Sequence, residues 1–216
     1  MNQPFLYQSL RITITFNLVE QAIINRLKPL DGSEWDGNIK SGCSVTKAER
    51  DKLVTDIKTK LETIQGSYCI YCGIHSDYRG HLQREHILSK SSRNYPNFMF
   101  EPRNLVLACR VCNMDLKRTK DFGSKERIKY RKNTFSIIHP YIDDFNRHLK
   151  FFGSGHQVLI QKMPYSRKGK KTIEVFELDS VARTVERSGL IDQYEKHIDP
   201  KFLGTLALVL GKKYFK

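Results

Sequence analysis

The sequence contains no long hydrophobic run. Its longest candidate, Phe202–Leu210, falls well short of the roughly 20 apolar residues that a membrane-spanning helix needs. It also has no basic stretch followed by an apolar one near residue 1, as a signal peptide would have. We therefore expect no membrane association, no secretion and a cytoplasmic location. We find no internal repeat and no low-complexity tract.

Acidic residues are scarce relative to basic ones. The 216 residues include 37 Lys and Arg against 23 Asp and Glu, a formal net charge of +14. With 39 % hydrophobic and 28 % charged residues, the composition is that of a globular protein. Residues 66–152 hold more than half of the excess, whereas residues 1–65 are close to neutral. Basic charge concentrated in one part of a chain favours a phosphate-bearing partner such as nucleic acid.

Four of the five cysteines form two Cys-x-x-Cys pairs, Cys69 with Cys72 and Cys109 with Cys112. Two such pairs supply the four thiolates of a structural zinc site. A disulfide framework is the alternative, but the expected cytosolic location argues against it. A thioredoxin-like redox motif would need only one pair. We interpret the fifth cysteine, Cys43, as a free thiol.

The distribution of charge divides the chain into three parts, which we interpret as an N-terminal strand and helix extension (residues 1–65), a core (66–152) and a C-terminal strand pair with a helix (153–216). The clearest element is a helix from Lys47 to Ile64, which begins at a capping box of Thr46 and Glu49. The other predicted helices are Val19–Leu27, Asn113–Thr119, Asp144–Phe151 and Ser180–Ile198. The predicted strands are Ser9–Leu18, His81–Leu88, Asn104–Cys109, Gln157–Lys162 and Lys171–Leu178.

Polar residues that can carry chemistry lie between and after the cysteine pairs. Glu85 and His86 come first, Asn104 follows, and Asn113 stands directly after Cys112. This order resembles the HNH family, the zinc-stapled branch of the ββα-metal endonucleases. The resemblance implies an α+β fold, with a ββα-metal core stapled by a four-cysteine zinc site and helical and strand extensions on both sides. Residues 66–152 would then be the nuclease core.

The resemblance also implies roles for these side chains. His86 would be the general base, a task that suits an imidazole with a pKa near neutrality. Glu85 and Asn113 would hold a catalytic Mg²⁺ or Mn²⁺ through oxygen atoms. Asn104 would brace the loop and orient the base. A structural alternative stays open for each residue. His86 could be a core histidine and Glu85 a solvated strand residue. Asn104 could be a turn residue and Asn113 a helix N-cap.

Basic side chains beside the motif are candidates for phosphate contacts. Lys117 and Arg118 follow Asn113, and Arg84 precedes Glu85. A solvated helix face is the alternative for the first two. The resemblance favours DNA as the nucleic acid.

A second resemblance covers more of the chain. The Glu-His-Ile-x-x-Lys pattern, the aromatic residues that follow it and the run from His139 to Asp144 look like HNH subunits of bacterial antiviral systems of the Septu and retron-effector type. In those systems the nuclease associates with an ATPase, so an ATPase partner is a further hypothesis. The alternative function is a non-catalytic, zinc-dependent nucleic-acid-binding module or a structural subunit.

Overall fold

The computed structural model describes residues 4–91, 93–152 and 159–198, and for residues 195–198 it describes the backbone alone. The apolar segment Phe202–Leu210 and the start of the predicted strand Gln157–Lys162 lie outside these ranges. The helices are α1 (Leu18–Leu27), α2 (Lys47–Gln65), α3 (Ser76–Arg79), a π-helix (Val111–Lys117), α4 (Arg167–Phe176) and α5 (Val181–Ile198). The strands are β1 (Gln83–His86), β2 (Leu105–Ala108), β3 (Leu149–Phe152) and β4 (Leu159–Lys162).

Helix α2 forms where the sequence predicts it. The Thr46 side chain accepts a hydrogen bond from the Glu49 N–H, and the Glu49 carboxylate accepts one from the Thr46 N–H, which confirms the capping box. Leu53, Ile57 and Leu61 recur at helical spacing and are fully buried, in a helix that packs on β2. Burial of an aliphatic side chain contributes about 1.5–3 kcal/mol, so this face anchors the helix.

Strands β1 and β2 form an antiparallel pair in which Glu85 lies opposite Val106 and His86 opposite Leu105. All four residues of β2 are buried, because α2 covers it. The π-helix follows β2 directly. These three elements are the predicted ββα core.

The structure contradicts the predicted strand Lys171–Leu178, because this segment lies mostly in helix α4. Ser166 caps the helix by accepting a hydrogen bond from the Gly169 N–H. Alternating apolar residues suggested a strand, yet Ile173 and Phe176 are also spaced for one helical face, and both are buried.

Two further predictions are wrong. The helix predicted at Asp144–Phe151 is a single 3₁₀ turn, Phe145–Arg147, followed by β3. The strand predicted at Ser9–Leu18 is extended but belongs to neither described sheet, since each sheet contains only two strands. Ile14 from this segment enters the core, whereas Ile12 is 64 % exposed.

The hydrophobic core is continuous. It runs from Phe5 to Ile191 and takes side chains from all three predicted parts of the chain. The division into three domains stays a prediction. Within the described ranges, no helix is both long enough and apolar enough to cross a membrane.

Candidate active site and metal centre

The four paired cysteines converge on one point. Their Sγ atoms all lie within 4.8 Å of one another, and all four residues are buried. The Sγ atoms of Cys72 and Cys109 are 3.8 Å apart. A tetrahedral zinc ion with Zn–S distances of about 2.3 Å requires S–S separations of about 3.8 Å. The cluster therefore fits zinc in both donor type and size.

The surroundings of the thiols also favour a cation. Burial raises the pKa of Cys69 well above its usual value. Four thiolates within 4.8 Å of one another would also repel, so they form a ligand set only around a cation such as zinc. The Cys109 N–H donates to the Cys69 Sγ at 3.2 Å. Cys43 lies outside the cluster, and its Sγ hydrogen-bonds to the Arg26 carbonyl. Among the described residues, the four cysteines are the one group of three or more His, Cys, Asp or Glu side chains close enough to share a metal ion.

Strand β1 brings Glu85 into a buried ion pair. The Lys117 Nζ lies 2.5 Å from the Glu85 Oε1, and both side chains are less than 10 % exposed. The Tyr71 hydroxyl lies 3.4 Å from the same oxygen. Burial raises the pKa of Glu85, and the Lys117 ammonium opposes that rise. Glu85 is thus a buried carboxylate with a cation already beside it.

His86 is 5 % exposed and lies edge-on to Trp35, with ring centroids 4.4 Å apart. Its Nε2 is 3.0 Å from the Met99 carbonyl oxygen. A carbonyl oxygen can only accept, so Nε2 carries the proton and Nδ1 has the free lone pair. Burial lowers the pKa of His86 to about 3. The imidazole is therefore neutral at physiological pH, with a proton-accepting nitrogen at Nδ1.

Asn104 is fully buried and ties together the loop after His86. Its Oδ1 accepts from the Leu88 N–H at 2.7 Å. Its Nδ2 donates to the carbonyls of Leu88 and Phe98, each at 3.0 Å. Because Met99 follows Phe98, the same amide side chain restrains the segment that supplies the carbonyl partner of His86.

Asn113 lies within the π-helix, which begins at Val111, so it is not the N-cap. Its Nδ2 donates to the Gln83 Oε1 at 3.0 Å, which leaves Oδ1 as the remaining acceptor of the amide. Gln83 and Glu85 share one face of β1, because alternate residues of a strand point the same way. Glu85 and Asn113 thus offer the oxygen donors that Mg²⁺ and Mn²⁺ accept, but a cation at Glu85 would share the carboxylate with Lys117.

The predicted phosphate-contact residues occupy different surroundings. Arg84 donates to the Val54 carbonyl at 3.0 Å, and its guanidinium lies 5.9 Å from the Trp35 ring centroid. Lys117 is buried in the pair with Glu85. Arg118 is exposed, and its Nε donates to the Asp115 carbonyl. Their role in substrate binding stays a prediction.

Sequence reasoning missed several partners of the motif. Gln83 could have been found, because it stands two residues before Glu85 in a strand. Trp35 and Met99 carry no local signal, since they reach His86 from loops distant in sequence. Tyr71 lies inside the first cysteine pair, where its ring gives no hint of a contact with Glu85.

Comparison with known proteins agrees with this geometry. Residues 69–119 match the sequence profile of a family described as HNH endonuclease. The chain is also 31 % identical over 130 residues to the Septu protein PtuB of Bacillus thuringiensis. That alignment spans 60 % of this chain and 43 % of the relative's length, so the chain covers less than half of that protein. No solved structure matches significantly. The predicted fold class and the resemblance to Septu-type HNH proteins are confirmed.

Proposed function

We propose that the protein is a metal-dependent endonuclease that hydrolyses phosphodiester bonds of nucleic acid, with DNA favoured. The observation that carries the proposal is the hydrogen bond from the His86 Nε2–H to the Met99 carbonyl. It holds the imidazole in the tautomer whose Nδ1 can take a proton from an attacking water. The neutral state that burial imposes keeps this nitrogen unprotonated at physiological pH.

The neighbouring side chains then have complementary tasks. Glu85 and Asn113 would hold one Mg²⁺ or Mn²⁺, which supplies charge stabilisation to the phosphoryl group and the leaving oxygen. Asn104 would position the base by holding Leu88, two residues after His86, and Phe98, which directly precedes the carbonyl partner Met99. The four cysteines would hold zinc in a structural role. Lys117, Arg118 and Arg84 are the proposed phosphate contacts.

The alternative is a zinc-dependent nucleic-acid-binding module or structural subunit without catalysis. One observation favours it, namely that Lys117 already neutralises Glu85 inside the protein. A carboxylate committed to an ammonium binds a divalent cation more weakly than a free one. Cleavage assays with added metal therefore separate the two functions.

The biological setting that we propose is antiviral defence in the cytoplasm, alongside an ATPase partner. The similarity to the Septu protein PtuB supports this setting at the level of the family. Residues 1–65 are close to neutral overall, a net charge that is compatible with a protein contact. Failure to recover any ATPase in a pull-down from native cells would count against the partner.

The test of the activity is a substrate panel. Purified zinc-loaded protein is incubated with single-stranded DNA, double-stranded DNA and RNA, with Mg²⁺ or Mn²⁺ and, as control, without either added ion. We expect metal-dependent cleavage in which water attacks the phosphorus and the 3′-oxygen leaves, which gives 5′-phosphate and 3′-hydroxyl ends. Absence of cleavage on every substrate with both metals would favour the non-catalytic alternative.

A further inference from the structure

An open groove of about 810 Å³ lies on the face of α2 that is turned toward the N-terminal segment. The extended residues 10–15 form one wall. The other lining side chains are Lys60, Thr63, Ile64, Arg103, Arg131 and Tyr141. A volume of this size can enclose a drug-sized ligand or a few nucleotides of a single strand.

The charge of the groove is positive and largely uncompensated. None of the lining residues is acidic. Arg11 and Arg131 are exposed, and neither side chain makes a hydrogen bond or ion pair with any residue that the structure describes. Arg103 has only a 3.5 Å contact with Glu101. Lys60 does not add to this charge, because it pairs with the buried Glu20.

The backbone of the same wall carries unused donors. The N–H groups of residues 11–15 donate to no residue within the described ranges. Thr13 and Thr15 add hydroxyl groups along the same segment. Arginine side chains, threonine hydroxyls and backbone N–H groups are the donors that proteins use on phosphate oxygens. The groove therefore combines the donor types and the charge of a phosphate-backbone site.

We propose that this groove binds one strand of nucleic acid through its phosphates. The inference rests on the proposed function, because it assigns a second contact surface to the same substrate. Arg103 links the two regions, since it precedes Asn104, which holds the loop after His86. An extended backbone edge would also suit a peptide strand. The three guanidinium groups without strong counter-ions favour the polyanion.

The experiment measures binding without cleavage. A fluorescent single-stranded DNA of about 20 nucleotides is titrated with the zinc-loaded full chain without added Mg²⁺ or Mn²⁺, at salt concentrations between about 50 and 200 mM. The variant is Arg11→Ala with Arg131→Ala. The matched control is Arg147→Ala with Arg167→Ala, which removes the same charge from two exposed arginines outside the groove.

We expect the groove variant to bind about tenfold more weakly and to lose about 1.4 from the slope of log affinity against log salt, as for two lost phosphate contacts. The control should stay within about twofold of wild type. Equal weakening in both variants would show that net charge alone acts, and that result would overturn the inference. Unchanged binding in the groove variant would also overturn the inference, and a protein segment would then be the better candidate for the groove.

Failure of this inference is distinguishable from failure of the proposed function. If the groove variant loses DNA binding but the wild type cleaves no substrate, nucleic-acid binding by the groove is supported and the endonuclease proposal is contradicted. If the wild type cleaves and the groove variant binds and cleaves equally well, nucleic-acid binding by the groove is contradicted and the endonuclease proposal is supported.

Discussion

At the scale of single residues, the buried pair of Glu85 and Lys117 dominates the electrostatics of the candidate site. Two opposite charges taken out of water stabilise a fold only weakly, because desolvation offsets most of their attraction. Removing one partner is different, since the remaining charge is then buried without compensation. The pair therefore makes Lys117 a structural requirement of the site, whatever contact it has with substrate.

We expect Lys117→Met to destabilise the protein by about 3–5 kcal/mol, because the Glu85 carboxylate would be left buried without its partner. Urea unfolding followed by circular dichroism measures the change. The double variant Glu85→Gln with Lys117→Met should recover most of the loss, because no charge remains buried. An unchanged unfolding midpoint in Lys117→Met would contradict the burial of this pair.

His139 gives a prediction for acid stability. It is fully buried between Tyr130 and Tyr141, and burial lowers its pKa to about 3. The unfolded chain has the ordinary pKa near 6.5, so it binds the proton first as the pH falls. The stability contributed by the neutral ring is fully present above about pH 6.5 and is lost progressively toward pH 3.

We therefore expect His139→Gln to flatten the decline of unfolding free energy with falling pH. The difference from wild type should approach about 1.4 kcal/mol per pH unit in this window. Urea titrations at a series of pH values measure both slopes. Parallel declines in the two proteins would mean that His139 is not held neutral by burial.

The candidate motif could be predicted from the sequence, whereas its environment could not. The order and spacing of Glu85, His86, Asn104 and Asn113 can be read from the sequence without knowledge of the fold. The burial of Lys117 depends on where the π-helix points its side chains, and the sequence alone suggested an exposed phosphate contact. The contact of His86 with Trp35 joins segments about 50 residues apart, for which one sequence carries no pairing signal.

At the scale of secondary-structure elements, two helical glycines have opposite surroundings. A Cβ built on Gly169 in α4 would lie 2.2 Å from the His148 carbonyl oxygen, whereas one built on Gly189 in α5 meets nothing within 4 Å. The first glycine allows the helix to approach β3, and the second only weakens its own helix.

We expect Gly169→Ala to destabilise the protein by about 1–3 kcal/mol, because backbone must move to relieve the clash. Gly189→Ala should instead stabilise it by up to about 1 kcal/mol, through helix propensity alone. Thermal unfolding of the two variants tests the contrast. Stabilisation by both substitutions would show that α4 does not pack closely on His148.

The cluster of four cysteines gives the second prediction at this scale. We expect about one zinc ion per chain, and Cys109→Ser should lose it and cost more than about 4 kcal/mol, because metal binding is coupled to folding. Cys43→Ser is the matched control and should keep both metal and stability, since Cys43 lies outside the cluster. Elemental analysis and chemical unfolding measure the two effects. A Cys109→Ser protein as stable as wild type would contradict a structural role for the cluster.

The elements that could be predicted are those whose signals are local. Capping and periodicity identify α2, and the predicted strand His81–Leu88 contains β1. The β-branched residues of Lys171–Leu178 favour a strand, although most of this segment is helical. The signal that marks the helix is its N-cap, Ser166, which lies before the segment. Ser9–Leu18 has strand-like alternation, but strand pairing depends on a neighbour, and neither described sheet provides one.

At the scale of the whole molecule, the N-terminal and C-terminal segments pack against the ββα core and share its hydrophobic interior. Arg79 follows the first cysteine pair and forms a 2.5 Å ion pair with Glu186 in α5. Tyr7 from the N-terminal segment packs on Phe151 of β3, with ring centroids 5.0 Å apart. Segments that are distant along the sequence therefore contribute to the same core. The chain as a whole carries a net charge of +14, which attracts polyanions.

The central claim is that His86 activates water for phosphodiester hydrolysis, and its most direct test compares wild type with His86→Ala. Plasmid cleavage with Mg²⁺ or Mn²⁺ is measured beside DNA binding without either added ion, and circular dichroism checks the fold of the variant. We predict that cleavage falls by about 100- to 10,000-fold while DNA binding is unchanged. Equal cleavage by the two proteins would contradict the account.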